Sequence, residues 1–158
     1  MLVRMYSPRL YWQVRRIVLN HDDANDVVQN ALVKAWLNLD GFQNKSKITT
    51  WLSRIAINEA FDYIRKNRRL ELASDEDMTS LAGSLIADTY FDGDETQAQL
   101  QAAIATLPDV QRTVFTLRYY DEMKYSEISR ILCTSEGALK ASYHLAVKKI
   151  ERYFDSHD

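Results

Sequence analysis

The sequence predicts an all-α protein of two small helical domains, an N-terminal three-helix bundle and a C-terminal helix-turn-helix domain, joined by an acidic linker. Three observations predict it. Only four glycines and two prolines occur in 158 residues, too few turn formers for a many-stranded sandwich or barrel, since the two together make up about 12% of average proteins. Apolar residues recur at three- and four-residue spacing in successive stretches, which is the helical period. The formal net charge of −2 conceals opposed blocks: residues 1–70 hold 12 Lys and Arg against 6 Asp and Glu, residues 71–100 hold 8 acidic residues and no basic one, and residues 101–158 hold 8 of each. Such sign asymmetry marks modules with distinct partners. Boundaries follow at 1–70, 71–95 and 96–158.

In the first block Leu10, Val14, Ile17 and Val18 form one apolar stripe, and Pro8 suits a first helical turn. A second stripe runs through Ala24, Val27, Val28, Ala31, Leu32, Ala35, Trp36 and Leu39. Asp22 or Asp23 is placed to cap it, because a carboxylate accepts orphan N–H groups at a helix start, and Gly41 to close it. After a polar loop, Ile48, Trp51, Leu52, Ile55, Ala56, Ala60, Tyr63 and Ile64 form a third stripe with Thr49 or Thr50 as cap. Its end carries Arg65, Lys66, Arg68 and Arg69, cations suited to a helix C-terminus. The acidic stretch 70–95 has no sustained period and reads as a linker with a short helical turn around Leu81–Ile86.

Beyond it, Leu100, Ala103, Ile104 and Leu107 lead to Pro108, which opens a helix carrying Val110, Val114, Leu117 and Arg118. A short helix follows, with Ser126 as cap and its end at Leu132. Cys133, Thr134 and Ser135 separate it from a final stripe of Leu139, Tyr143, Ala146, Val147, Ile150 and Phe154. A short helix, a three-residue turn and a longer helix is the helix-turn-helix arrangement.

Several function classes are excluded. One cysteine supports neither an internal disulfide nor a Cys-based zinc site. The N-terminus has no secretory pattern, and no stretch approaches the roughly 18 apolar residues of a membrane helix, so a cytoplasmic chain is expected. His21, His144 and His157 lack metal-ligand spacing, and there is no phosphate-cradling glycine loop or nucleophile elbow. No enzyme, metal, cofactor or small-molecule substrate is expected. His21 beside Asp22 and Asp23 reads as a helix-capping turn, and Cys133 as a small packed residue.

Three polar surfaces remain. Ser135 would cap the last helix and set Glu136, Gly137, Lys140, His144 and Lys148 on its outward face, either to enter a major groove or as the solvated side of a helical hairpin. The second helix has a polar back of Asp26, Gln29, Asn30 and Lys34, a solvated face or a protein-docking one, with Val33 as the apolar residue out of place. Phe42, Gln43, Lys45, Ser46, Lys47, Trp51, Arg54 and Asn58 combine cations, aromatics and amides, which suits unpaired bases and phosphates. They also fit a core with solvated lysines, Trp51 being in phase with Leu52 and Ile55.

DANDVVQNALVKAW (23–36), followed by TWLSRIAINEAFDYIRKNRR (50–69), resembles the second region of extracytoplasmic-function sigma factors. LPDVQRTVFTLRYYDEMKYSEISRIL (107–132) with SEGALKASYHLAVKKI (135–150) resembles their fourth region. The two stand in the family's order and cover about three-quarters of the chain. The resemblance implies a non-catalytic subunit that gives bacterial core RNA polymerase its promoter choice, with promoter DNA as its other partner. It further implies an anti-sigma partner, often membrane-anchored in this family. Matched by position, Asp26, Gln29 and Asn30 would dock on the clamp coiled coil of the polymerase β′ subunit. Phe42 to Lys47 would capture an extruded −10 base, with Trp51, Arg54 and Asn58 along the same strand. The helix from Ser135 would read the −35 duplex, and the acidic linker would thread the RNA-exit path. The rival is a stand-alone helix-turn-helix regulator, which has no use for the docking helix or the base-capture loop.

The chain departs from the family in four places. Asn30 replaces a usual acidic residue, and Cys133 a usual glycine. Ser142, Leu145 and Val147 stand where arginines are frequent, which implies fewer phosphate contacts and a gentler salt dependence. The chain also begins almost inside its first helix, short of part of the usual leading segment.

Overall fold

The computed structural model describes residues 2–42, 47–67 and 94–156. Contacts divide the chain into two units, Met1–Glu71 and Leu72–Asp158. All regular structure among the described residues is helical. The expected turn at Leu81–Ile86 and nearly all of the linker lie outside the described residues.

In the first unit, α1 (Leu2–Val18), α2 (His21–Leu37) and α3 (Ile48–Asn67) pack pairwise into a three-helix bundle. Its core is drawn mostly from the periodic positions: Leu10, Val14 and Ile17 from α1, Ala24, Val27, Val28, Ala31 and Ala35 from α2, and Leu52, Ala56 and Ala60 from α3. Ile57 joins them from outside the expected stripe, whereas Ile55 within it is only half-buried. The alanines let α2 approach its neighbours closely. Buried polar residues join them: Ser53 Oγ donates to Gln13 Oε1 at 2.9 Å, and Arg15 is fully buried.

Several local expectations are corrected. Pro8 lies inside α1 rather than at its start; its fixed φ is helical, and only one backbone hydrogen bond is forgone. Asn20, not Asp22 or Asp23, caps α2, its side chain accepting from Asp23 N at 3.1 Å. The chain turns sharply at Leu19, φ 65°, which brings Asn20 to the capping position and places both aspartates already within the helix. The far end of α2 closes at Asn38, whose backbone and side-chain N–H groups both donate to Lys34 O. A single 3-10 turn, Leu39–Gly41, follows, so Gly41 does not cap α2 and has no positive φ. Thr49 and Thr50 lie in the first turn of α3, which starts at Ile48.

In the second unit, α4 (Glu95–Ala105), α5 (Asp109–Tyr119) and α6 (Tyr125–Leu132) all contact the long α7 (Glu136–Ser156). Ala103, Ile104, Leu107, Phe115, Ala146 and Ile150 form one buried cluster, with Leu100, Tyr143, Val147 and Phe154 packed against it. Phe115 stacks on both Tyr119 and Tyr143, with ring centroids 5.3 and 5.6 Å apart. Asp94, the last linker residues' only described carboxylate outside a helix, caps α4 by accepting from Gln97 N at 2.9 Å.

Pro108 stands at the N-cap of α5, but Val110 is exposed rather than part of its buried stripe. Arg112 takes the inward position instead, donating to Leu107 O and Asp109 Oδ1. Helix α6 starts at Tyr125, one residue before the expected cap Ser126.

Candidate functional site

Helix α2 buries residues 24, 27, 28, 31 and 35 and therefore turns a second, continuous stripe outward. Asp26, Gln29 and Asn30 lie on it and are exposed. The same three–four spacing carries it on to Val33 and Leu37, with Trp36 alongside, at 58%, 74% and 77% exposure. Trp36 and Leu39 were expected in the core stripe, and both are corrections: Leu39, also exposed, falls in the 3-10 turn beyond α2. Helix α2 ends one residue after Trp36, so the indole flanks the bundle instead of entering it. It borders a small apolar pocket that Leu32, Ala35, Ile48, Trp51 and Leu52 also line. The out-of-phase Val33, followed by Leu37 four residues on, is the sequence signal that could have found this surface. Lys34, on the flank, donates to Glu59 of α3. That hydrogen-bonded carboxylate holds the lysine above its ordinary pKa of 10.5, against a smaller opposing effect of burial.

At the start of α3, Phe42 and Trp51 are half-buried with ring centroids 5.2 Å apart, a tilted pair. Trp51 is thus partly in the core, as its phase predicts. Lys47 and Asn58 are exposed, and Trp51, Arg54 and Asn58 share one face of α3 by their spacing. Arg54 is half-buried, and its Nε has no hydrogen-bond partner among the described residues. Gln43, Lys45 and Ser46 lie outside the described residues.

The turn between α6 and α7 has the expected three residues. Cys133 adopts the left-handed conformation, φ 52° and ψ 44°, and its N–H donates to Ser129 O. This is the geometry that glycine would take without strain. Cys133 is exposed rather than packed, a further correction, because the left-handed turn carries its side chain out of the α6 stripe. Ser135 Oγ accepts from Ala138 N at 3.2 Å and caps α7. Glu136, Gly137, Lys140, His144 and Lys148 are all exposed, the last four at spacings of three and four that define one face. Val147 packs toward the core, so that departure from the family pattern removes no outward cation.

No group of three or more His, Cys, Asp or Glu side chains among the described residues could hold a metal ion. His21 is the first residue of α2, its Nδ1 2.7 Å from the Tyr11 hydroxyl. No helix among the described residues is long and apolar enough to cross a membrane.

One unit thus presents an exposed, partly apolar stripe on α2 and a cation–aromatic face on α3, and the other a capped helix-turn-helix, an arrangement that DNA-binding proteins use. Comparison with known proteins narrows this. The family model for Sigma-70 region 2 matches residues 2–70, and that for Sigma-70 region 4 matches residues 97–150. The ECF RNA polymerase sigma factor SigW of Bacillus subtilis is 34% identical over 153 residues, covering 90% of this chain and 81% of the relative. The ECF RNA polymerase sigma-E factor of Escherichia coli K12 is 30% identical over 160 residues, covering 96% and 83%. A solved structure of the sigma factor RpoE with the anti-sigma factor NepR from Bartonella quintana shares the fold, at a TM-score of 0.75 and 23% identity over 97% of this chain and 94% of that one. So does CnrH in complex with the cytosolic domain of CnrY, at 0.70 and 24% over 99% and 87%. The chain belongs to the sigma-70 family and is a sigma factor of the extracytoplasmic-function type, a non-catalytic subunit that directs RNA polymerase to promoters.

Proposed function

We propose that residues 1–70 dock on core polymerase and open the −10 element, that residues 96–158 read the −35 element, and that the 71–95 linker threads the RNA-exit path between them. On α2, Asp26, Gln29 and Asn30 meet the β′ clamp coiled coil, and Val33, Trp36 and Leu37 extend that contact with an apolar end. Phe42, Gln43, Lys45, Ser46 and Lys47 hold an extruded −10 base, with Trp51, Arg54 and Asn58 along its strand. Removing a base from its stack costs a few kcal/mol, which stacking and amide contacts return. On α7, Ser135, Glu136 and Gly137 enter the major groove while Lys140, His144 and Lys148 follow its edge.

The observation that supports this most is the unbroken exposed stripe on α2, which a stand-alone regulator would leave unused. The relatives of known structure were captured with NepR and with the cytosolic domain of CnrY. By the same logic this chain is held inactive in the cytoplasm by an anti-sigma factor, soluble or membrane-anchored.

Run-off transcription with core polymerase across a randomised promoter library tests the reading. We expect transcripts only when both proteins are present, from templates sharing two elements. Selection of a single element, bound equally well without polymerase, would instead establish a stand-alone regulator.

A further inference from the structure

One aromatic ring in the helix-turn-helix gathers charge from its two neighbouring helices. Tyr125, the first residue of α6, has Arg118 Cζ of α5 4.6 Å from its ring centroid and Lys140 Nζ of α7 5.7 Å away. Both distances are within cation–π range. The platform is tied down from the α5 side. Met123 is buried, its N–H donates to Leu117 O at 3.0 Å, and its carbonyl accepts from Arg118 Nη1 at 3.0 Å. Glu122, at φ 50°, turns the chain between them. Arg118 is therefore held by a backbone carbonyl and a ring at once, while Lys140 is exposed and touches that same ring.

A lysine on a helix surface has a long, rotamer-rich stem, and confining it before binding lowers the entropy lost when it meets a phosphate or base edge. We propose that Tyr125 is a positioning residue: its ring, locked by Arg118, holds the Lys140 ammonium poised on the outward face of α7 before DNA arrives. The inference rests on the reading of α7 as the −35 helix. The ring carries the effect, and the hydroxyl has no part in it.

The test uses holoenzyme assembled from the full chain and core polymerase, with a promoter fragment selected by run-off transcription. Tyr125→Leu should weaken promoter binding about two- to five-fold, the worth of one exposed cation–π contact. Tyr125→Phe keeps the ring and should bind as the parent does. In a Lys140→Ala background, Tyr125→Leu should cost nothing further. Circular dichroism checks that the Leu variant folds, and Tyr125→Met replaces it if helicity is lost. Loss in Tyr125→Phe equal to that in Tyr125→Leu overturns the inference, because the hydroxyl would then be the contact. An undiminished Tyr125→Leu effect without Lys140 overturns it as well. A silent Tyr125→Leu beside an impaired Lys140→Ala defeats this inference alone, whereas a silent Lys140→Ala defeats the reading of α7 itself.

Discussion

Helices α2 and α7 each bury one stripe and present another, yet they present opposite chemistries. The outward stripe of α2 begins with Asp26, Gln29 and Asn30 and ends in the exposed Val33, Trp36 and Leu37. That of α7 is made of Gly137, Lys140, His144 and Lys148, with Leu145 its only large exposed hydrophobic among the described residues. On the proposed reading, the difference follows from what each helix would touch. A protein partner rewards a buried aromatic anchor, because a few such residues carry most of the binding energy. A DNA groove rewards small residues that let the backbone approach and cations that meet phosphate. On that reading, the composition of an exposed stripe separates a protein-facing helix from a nucleic-acid-facing one within one chain.

The largest effect should come from breaking the apolar end of α2. Trp36→Ser should weaken binding to core polymerase about 30-fold, the roughly 2 kcal/mol expected of an aromatic hot spot. At 77% exposure the indole contributes little to folding, so thermal unfolding should hold to within about 0.5 kcal/mol. Alanine at Asp26, Gln29 and Asn30 together should reduce recovery in a pull-down to a lesser degree. Full-strength binding by Trp36→Ser, or marked loss of stability, would mean that the indole serves the pocket beneath it and not a partner.

The two helices are also entered differently. Each is preceded by a left-handed residue that is not glycine, Leu19 before α2 and Cys133 before α7. Leu19 is buried, at 3% exposure, whereas Cys133 is exposed. A left-handed L-residue carries about 1–2 kcal/mol of strain, which glycine removes while adding some chain entropy to the unfolded state. Cys133→Gly should therefore stabilise the second unit by about 0.5–1 kcal/mol and raise its melting temperature by several degrees. Cys133→Ala, which keeps the strain, should not. The same glycine change at Leu19 should destabilise, since losing a buried leucine outweighs the relief. Equal responses at the two turns would show that strain, not burial, governs both.

The three-residue length of that second turn was legible, and so were the two helical units, because a buried face repeats every three to four residues and a short connection leaves few alternatives. Ala24, Val27, Val28, Ala31 and Ala35 follow that repeat and are all buried. Trp36 departs from it: its spacing places it in the same stripe, but the helix ends before the bundle can enclose it. Asn20 stands at the cap in place of Asp22 or Asp23: all three are good capping types, and only the backbone turn at Leu19 decides which stands at the helix end. Arg15 and Arg112 were invisible as interior residues, since arginine is assigned to the surface unless a partner is known. The ring of Tyr125 and the ammonium of Lys140 are 15 positions apart, and only the packing of α6 on α7 unites them.

The smallest effect concerns how α2 is held so that its stripe faces outward. Lys34 of α2 donates to Glu59 of α3, and that carboxylate, with Asp62 further off, raises the lysine's pKa above 10.5. A lysine stabilised in its charged form contributes fully while the unfolded chain is also protonated, below about pH 10.4. The contribution fades as pH climbs through the raised folded-state value. The Lys34 side chain is 56% exposed, so solvent screening limits the pair to a few tenths of a kcal/mol. Lys34→Met, which keeps most of the stem, should accordingly lower the urea midpoint slightly at pH 8. The difference from the parent should shrink above pH 11 and in high salt. A difference that survives both would show that the ion pair with Glu59 is not what Lys34 contributes to the bundle.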